Sequence, residues 1–157
     1  MKVKFVAEEK YQPKYANETD ACMDLEAKID ESTEGSALTE DGIRYVDIPS
    51  GETVVLGTGV QSAVPEGYVM TAFVRSSTGI KRNLVLANGT GIIDTGYRNE
   101  IKLALHNIGN KPERVKDGER LAQFMILPFP KIEPEFVQDD EDFRVGDRGG
   151  GIGSTGR

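Results

Sequence analysis

Short apolar runs, each closed by glycine, proline or acidic residues, dominate the chain and predict strands and tight turns in place of long helices. Val3 to Val6 predicts a first strand. Ala21 to Ala27 (ACMDLEA) follows a polar, turn-like stretch from Gln12 to Asp20 and predicts a second, with Asp24 just before Leu25. Ser32 to Gly42 is polar and acidic, which predicts an exposed loop or hairpin tip. Extended structure resumes at Ile43 to Ile48. Thr53 to Val64 and Tyr68 to Val74 are rich in β-branched and apolar residues, and Pro65 to Gly67 (PEG) reads as the turn between them. Ser76 to Arg82 (SSTGIKR) is the one helix predicted, with Ser76 or Ser77 as its cap. Leu103 to His106, a turn at Gly109 to Lys111 and a buried strand over Leu121 to Leu127 complete the pattern.

One segment breaks that regularity in a chemically suggestive way. Asn88 to Ile101 reads NGTGIIDTGYRNEI, with Asp94 between the apolar pair Ile92 and Ile93 and a glycine-bounded turn carrying Tyr97. The pattern predicts a β-hairpin in which Asn88, Gly89, Gly91 and Gly96 tolerate positive φ. Such a hairpin holds a carboxylate, an amide and an aromatic face around a small concave space, a shape suited to a flat ring beside a base for water. An ordinary hairpin whose turn contains an acid is an equal alternative on this segment alone.

Composition narrows the class. A chain of 157 residues, 38% hydrophobic with 18 glycines and 7 prolines, predicts one mostly β domain with a real core. Cys22 is the single cysteine, so no disulfide forms within the chain, and it is expected to be a small buried residue. No signal-peptide or membrane-length apolar run is present, which gives an expectation of a cytoplasmic protein with no membrane partner. The net charge of −7 argues against non-specific nucleic-acid binding, so a phosphate ligand needs a local basic site. Arg75, Lys81, Arg82, Arg98, Arg120, Arg148 and Arg157 are the candidates. The terminal RGGGIGSTGR, from Arg148, reads either as a flexible end or as a backbone nest for phosphate. Two parts are expected: a β domain over 1–135 with an inserted loop at 30–44, and a C-terminal arm over 136–157.

Five segments in order resemble the trimeric dUTP pyrophosphatase (dUTPase) family: ACMDL at Ala21 to Leu25, RSST at Arg75 to Thr78, NGTGIIDTGYRNEI, GERLAQ at Gly118 to Gln123, and RGGGIGSTG at Arg148 to Gly156. The resemblance covers nearly the whole chain. It implies an all-β, mostly antiparallel jelly-roll subunit with one short helix, in a homotrimer whose active sites are shared between subunits. It also implies hydrolysis of dUTP to dUMP and pyrophosphate with Mg2+.

By the same resemblance, Asp94 is the general base for the water that attacks the α-phosphorus. Asn88 reads uracil, the close hairpin backbone near Gly91 excludes a thymine methyl, Ile92 and Ile93 belong to the substrate-binding residues, and Tyr97 packs on deoxyribose. Arg75, Ser76, Ser77 and Gln123 hold the phosphates, with Lys102 at the substrate edge. Arg148, Ser154 and Thr155 close over them as the tail orders, while Ile152, followed by Gly153, meets the uracil by plain apolar contact. Asp24 supports, through water, a Mg2+ bound mainly by the triphosphate. The chain departs from the family pattern at Ile152, where an aromatic is usual, at Gly96, where an acid is common, and at Cys22 and Met23 in place of glycine and an aromatic. Arg148 also sits one residue closer than usual to the position of Ile152. Two alternatives remain: a dCTP deaminase-like enzyme, for which Glu100 is the loose candidate acid, and a nucleotide-gated regulatory protein that binds a protein partner through the inserted loop.

Overall fold

The structure is a computed structural model and describes residues 1–139, 141, 143–147 and 149. Among the described residues, thirteen strands in four sheets surround one core, with a single α-helix and a 3₁₀ turn at Glu9–Tyr11. β1 (Lys4–Val6) pairs with β7 (Gln61–Ala63). The largest sheet has five strands in the order β10 (Gly91–Ile93), β8 (Tyr68–Val74), β13 (Arg120–Pro128), β3 (Met23–Glu26) and β2 (Lys14–Tyr15). A second sheet joins β6 (Thr53–Gly57), β11 (Lys102–Asn107) and β9 (Leu84–Leu86). A third joins β12 (Glu113–Lys116), β5 (Arg44–Ile48) and β4 (Ala37–Leu38). Every pairing is antiparallel, as a jelly roll requires.

Alternation explains why these strands bury one face. In β11, Leu103, Leu105 and Asn107 point inward while Lys102, Ala104 and His106 lie on the outer face. Leu25, Ile48, Leu56, Met70, Leu84, Leu103, Leu105 and Leu121 are almost fully removed from water, and three of the four sheets contribute to that set. Asn107 is the polar exception. Its amide donates to the carbonyls of Ile48 at 2.9 Å and Lys111 at 2.8 Å, and its oxygen accepts the Gly109 N–H at 2.9 Å, so the buried group is fully partnered.

Several local expectations need correction. Thr53 to Val64 is not one strand: it breaks at Thr58 to Val60 into β6 and β7, which belong to different sheets. Gly59 makes the break, adopting φ of +68° where a Cβ would also crowd Tyr11 and Lys28. The helix α1 (Ser76–Arg82) has the predicted bounds, but neither serine caps it. Arg75 occupies the cap position without a side-chain hydrogen bond, and Asn83, left-handed at φ 54°, ends the helix. Ser32 to Gly42 does hold a hairpin tip, since β4 pairs with β5. Cys22 is only half-buried, and burial pushes its thiol up.

The largest correction concerns Asn88 to Ile101, which is not a hairpin. β10 pairs with β8 in the five-stranded sheet, whereas β11 pairs with β6 and β9 in another. The chain between them crosses from one sheet to the other. Of the four residues expected to tolerate positive φ, only Gly89 uses it, at +71°. Gly91 serves close approach instead, because a Cβ there would lie 3.2 Å from that of Ala72.

Candidate active site

The crossing opens a cavity of about 220 Å3 at the seam between the two sheets. Asn88, Gly91, Ile92, Ile93, Tyr97 and Lys102 line it, over a floor of Ala72, Leu86, Ile101 and Leu103. Its walls thus combine an amide, a phenol ring, a lysine and apolar surface, which suits a flat heterocycle joined to a sugar. Tyr97 is held at both ends: its N–H donates to the Asp94 carbonyl at 3.1 Å and its hydroxyl to the Glu100 carbonyl at 2.8 Å. Thr95 fastens the same turn through hydrogen bonds from its hydroxyl to the carbonyls of Tyr68 at 3.2 Å and Pro65 at 3.4 Å.

Asp94 follows Ile93 directly, but it lines a separate cavity of about 500 Å3 with Glu66, Gly67, Thr95, Gly96, Phe129 and Lys131. Its residue is exposed. Asp94 is therefore one residue along the chain from the wall of the first cavity and open to water, without forming that wall.

The expected phosphate-binding residues form a second group. Gln123 on β13 lies opposite Asp24 on β3 and Phe73 on β8, so these side chains share one face of the five-stranded sheet. Asp24 is 9% exposed, and its two oxygens face the Arg75 Nε at 3.0 Å and an Arg120 guanidinium nitrogen at 3.2 Å. Arg75 also donates to the Arg120 carbonyl at 3.2 Å. Ser76 and Ser77 follow as the exposed start of α1. The structure thus joins Asp24, Arg75 and Arg120 directly and sets Gln123, Ser76 and Ser77 close by in the fold. None of these residues lines the cavity that holds Asn88 and Tyr97. Arg148, Ile152, Gly153, Ser154 and Thr155 lie outside the described residues.

Two readings of charged residues change. Arg82, a candidate for anion binding, is committed to Glu113 at 2.5 Å and Glu119 at 2.8 Å and ties α1 to the β12–β13 region. Arg120 joins Asp24 from inside the GERLAQ segment, the same segment that supplies Gln123. The Glu100 carboxylate accepts the Gly59 N–H at 2.7 Å and faces a polar cavity between 28–34 and β6. It is turned away from the nucleoside-sized cavity, which removes the support for a deaminase acid at that position.

A β-clip of antiparallel strands with a ring-sized pocket, a water-exposed carboxylate and an arginine pair on the sheet face is the architecture of a nucleotide-processing enzyme. The family model for dUTPase matches residues 42–156, and the chain belongs to the dUTPase family. It is 36% identical over 159 residues to the deoxyuridine 5'-triphosphate nucleotidohydrolase of Desulfitobacterium hafniense, covering 99% of this chain and 95% of that one. Among solved structures, the Staphylococcus bacteriophage 80alpha dUTPase with dUPNHPP superposes with a TM-score of 0.79 at 25% identity, covering 99% of both chains. A dUTPase mutant from phage phi11 of S. aureus, described with a structural Mg(II) ion, shares the fold at a TM-score of 0.72 and 22% identity, over 90% of this chain and 99% of that one. No helix among the described residues is long and apolar enough to cross a membrane.

Proposed function

We propose that this chain hydrolyses dUTP to dUMP and pyrophosphate, with uracil and deoxyribose in the seam cavity and the triphosphate directed toward Arg75. The observation that carries the reading is the cavity of about 220 Å3 lined by Asn88, Gly91 and Tyr97, with Asp94 next in the chain, in a member of the dUTPase family. The Asn88 amide offers both a donor and an acceptor to the uracil edge, whereas cytosine reverses both roles and leaves buried groups unpaired. Gly91 and the apolar pair Ile92 and Ile93 keep the wall close enough to exclude a 5-methyl group. The Tyr97 ring stacks against the sugar and denies space to a 2'-hydroxyl, while Lys102 borders the ligand. Asp94 takes the proton from water as its oxygen attacks the α-phosphorus, and the bond to the leaving pyrophosphate oxygen breaks. Arg75, Ser76, Ser77 and Gln123 orient and neutralise the phosphate chain. The arm residues Arg148, Ser154 and Thr155 cover it, and Ile152 with Gly153 lies against the uracil.

Mg2+ fits this site as a companion of the substrate. Among the described residues no three His, Cys, Asp or Glu side chains gather into a cation cage. Asp24 spends two acceptor directions on arginines, and a carboxylate has about four, so it retains capacity for a metal-bound water. When bound, the ion neutralises phosphate charge and favours departure of pyrophosphate. The separation of the nucleoside cavity from the arginine pair supports a homotrimer in which different subunits supply the two halves of each site.

The test is pyrophosphate release from each dNTP and from UTP with Mg2+. Turnover of dUTP alone is expected, and Asp94→Asn should abolish it while leaving the urea unfolding midpoint unchanged within error. Comparable turnover of dCTP or UTP would refute the assignments of Asn88 and Tyr97.

A further inference from the structure

Glu100 is a charged residue that the reaction leaves unused, and its carboxylate is seated on the corner at 57–60. Its Oε1 accepts the Gly59 N–H at 2.7 Å. The carboxylate lies over Gly57, where an added Cβ would sit 2.5 Å from Oε1. The neighbouring Ile101 donates its N–H to the Val60 carbonyl at 2.8 Å and accepts the Thr58 hydroxyl at 2.7 Å. Three hydrogen bonds therefore clamp residues 100 and 101 onto the corner at 57–60.

The other side of that clamp is the nucleoside cavity. The Glu100 carbonyl accepts the Tyr97 hydroxyl at 2.8 Å, so the peptide that the carboxylate anchors also aims the phenol ring. Tyr97 is 38% exposed, so the hydroxyl bond to the Glu100 carbonyl restrains a ring that solvent reaches. Steric exclusion of a hydroxyl fails when the excluding group can retreat by about 1 Å, because affinity alone discriminates poorly against a small added group. We propose that Glu100 is a positioning residue for sugar selectivity: its carboxylate, seated where residue 57 has no side chain, fixes the carbonyl that orients the Tyr97 ring. This rests on the assignment of Tyr97 to the deoxyribose.

The experiment compares kcat/KM for dUTP and UTP in the full-length enzyme and in five variants. Glu100→Ala should lower the preference for dUTP about tenfold, the scale of a lost steric contact. Glu100→Gln should keep it within about twofold, since its amide oxygen still accepts the Gly59 N–H. Gly57→Ala displaces the carboxylate without removing it, and residue 57 lies outside the left-handed φ region, so the backbone tolerates alanine. It should lower the preference as Glu100→Ala does and add nothing in the double variant; it also supplies the test if Glu100→Ala does not fold. Equal losses for dUTP and UTP in Glu100→Ala, or additive effects in the double variant, would show a merely structural role and overturn the proposal. Tyr97→Leu separates the two layers. If it relaxes selectivity while Glu100→Ala and Gly57→Ala do not, the positioning role fails and the sugar assignment stands. If it leaves selectivity intact, the sugar assignment fails and this inference falls with it.

Discussion

Asp24 offers the sharpest test of how the phosphate half of the site is built. Its carboxylate receives Arg75 at 3.0 Å and Arg120 at 3.2 Å, and Asp24→Ala removes both contacts at once. Breaking a fully buried pair from one side costs about 3–5 kcal/mol, because the remaining charge is stranded. Here the Arg120 side chain is 50% exposed and keeps much of its hydration, whereas that of Arg75 is 27% exposed. The Arg120 contact therefore counts as a surface pair, about 0.2–1 kcal/mol, and the Arg75 contact carries more, for a total of about 2 kcal/mol in stability. The catalytic effect should be larger than that of a distant substitution of similar stability cost. Arg75 would keep only its bond to the Arg120 carbonyl, and a displacement near 1 Å in a positioning group costs about 10²-fold in rate. Urea unfolding and steady-state pyrophosphate release measure the two quantities separately. Asp24→Asn, which retains one acceptor oxygen, should lose about tenfold in kcat/KM, half the free-energy loss of Asp24→Ala at about 1.4 kcal/mol per decade. A fully active but destabilised Asp24→Ala would refute the view that this carboxylate aims Arg75. Complete rescue by excess Mg2+ would do so as well, since it would place the whole defect in metal binding.

A mixing experiment tests whether the two halves of the site come from different subunits. Asp94→Asn and Arg75→Ala variants, each inactive alone, should after joint unfolding and refolding recover about a quarter of wild-type activity, the share of randomly mixed trimer sites that take both groups from intact chains; no recovery would mean that one subunit supplies both. Asp117 gives a prediction in pH. Burial pushes its carboxyl up, but the Ile29 N–H at 2.9 Å, Lys10 and the Tyr11 hydroxyl at 2.8 Å outweigh that and hold it below the usual carboxylate range. A depressed folded pKa contributes stability that is present above the unfolded value of about 3.9 and lost as pH falls through the folded value. Asp117→Asn should thus lower the urea midpoint at pH 7, and the gap to wild type should narrow below about pH 4; a gap independent of pH would assign the loss to packing.

Whereas β2, β9 and β12 carried no strand signal, β8 and α1 were legible to the residue, and β1, β3, β5, β11 and β13 to within two. Residues in these elements are chosen by local burial and by short-range turn chemistry, and both leave a mark in the sequence. The division of Thr53 to Val64 left little, because Leu56, Val60 and Val64 are all buried whether the run is one strand or two. What divides it is Gly59 at positive φ and the bond from Thr58 to Ile101, 43 residues away. The Asp24–Arg75–Arg120 cluster was hidden for the same reason. Its members lie on three segments that only sheet register brings together, with Arg75 just after β8.

The segment Asn88 to Ile101 shows how topology turns a legible motif into a site. Read as a hairpin, it would place Gly91 to Ile93 and Lys102 on two paired strands, and their ladder would fill the space between them with backbone hydrogen bonds. The two strands instead pair outward, β10 with β8 and β11 with β6 and β9, so their separation leaves the seam that the cavity occupies. The crossing must then be held open at a fixed width, or the ring-sized space collapses. Tyr97 bonded to Asp94 and Glu100, with Glu100 and Ile101 clamped onto residues 58–60, supplies that brace from both sheets. The same backbone carbonyl chain that sets the width of the pocket therefore also sets where Asp94 stands relative to it. A shift in the Glu100 anchor should accordingly be felt first in sugar choice and only afterwards in the attack of water.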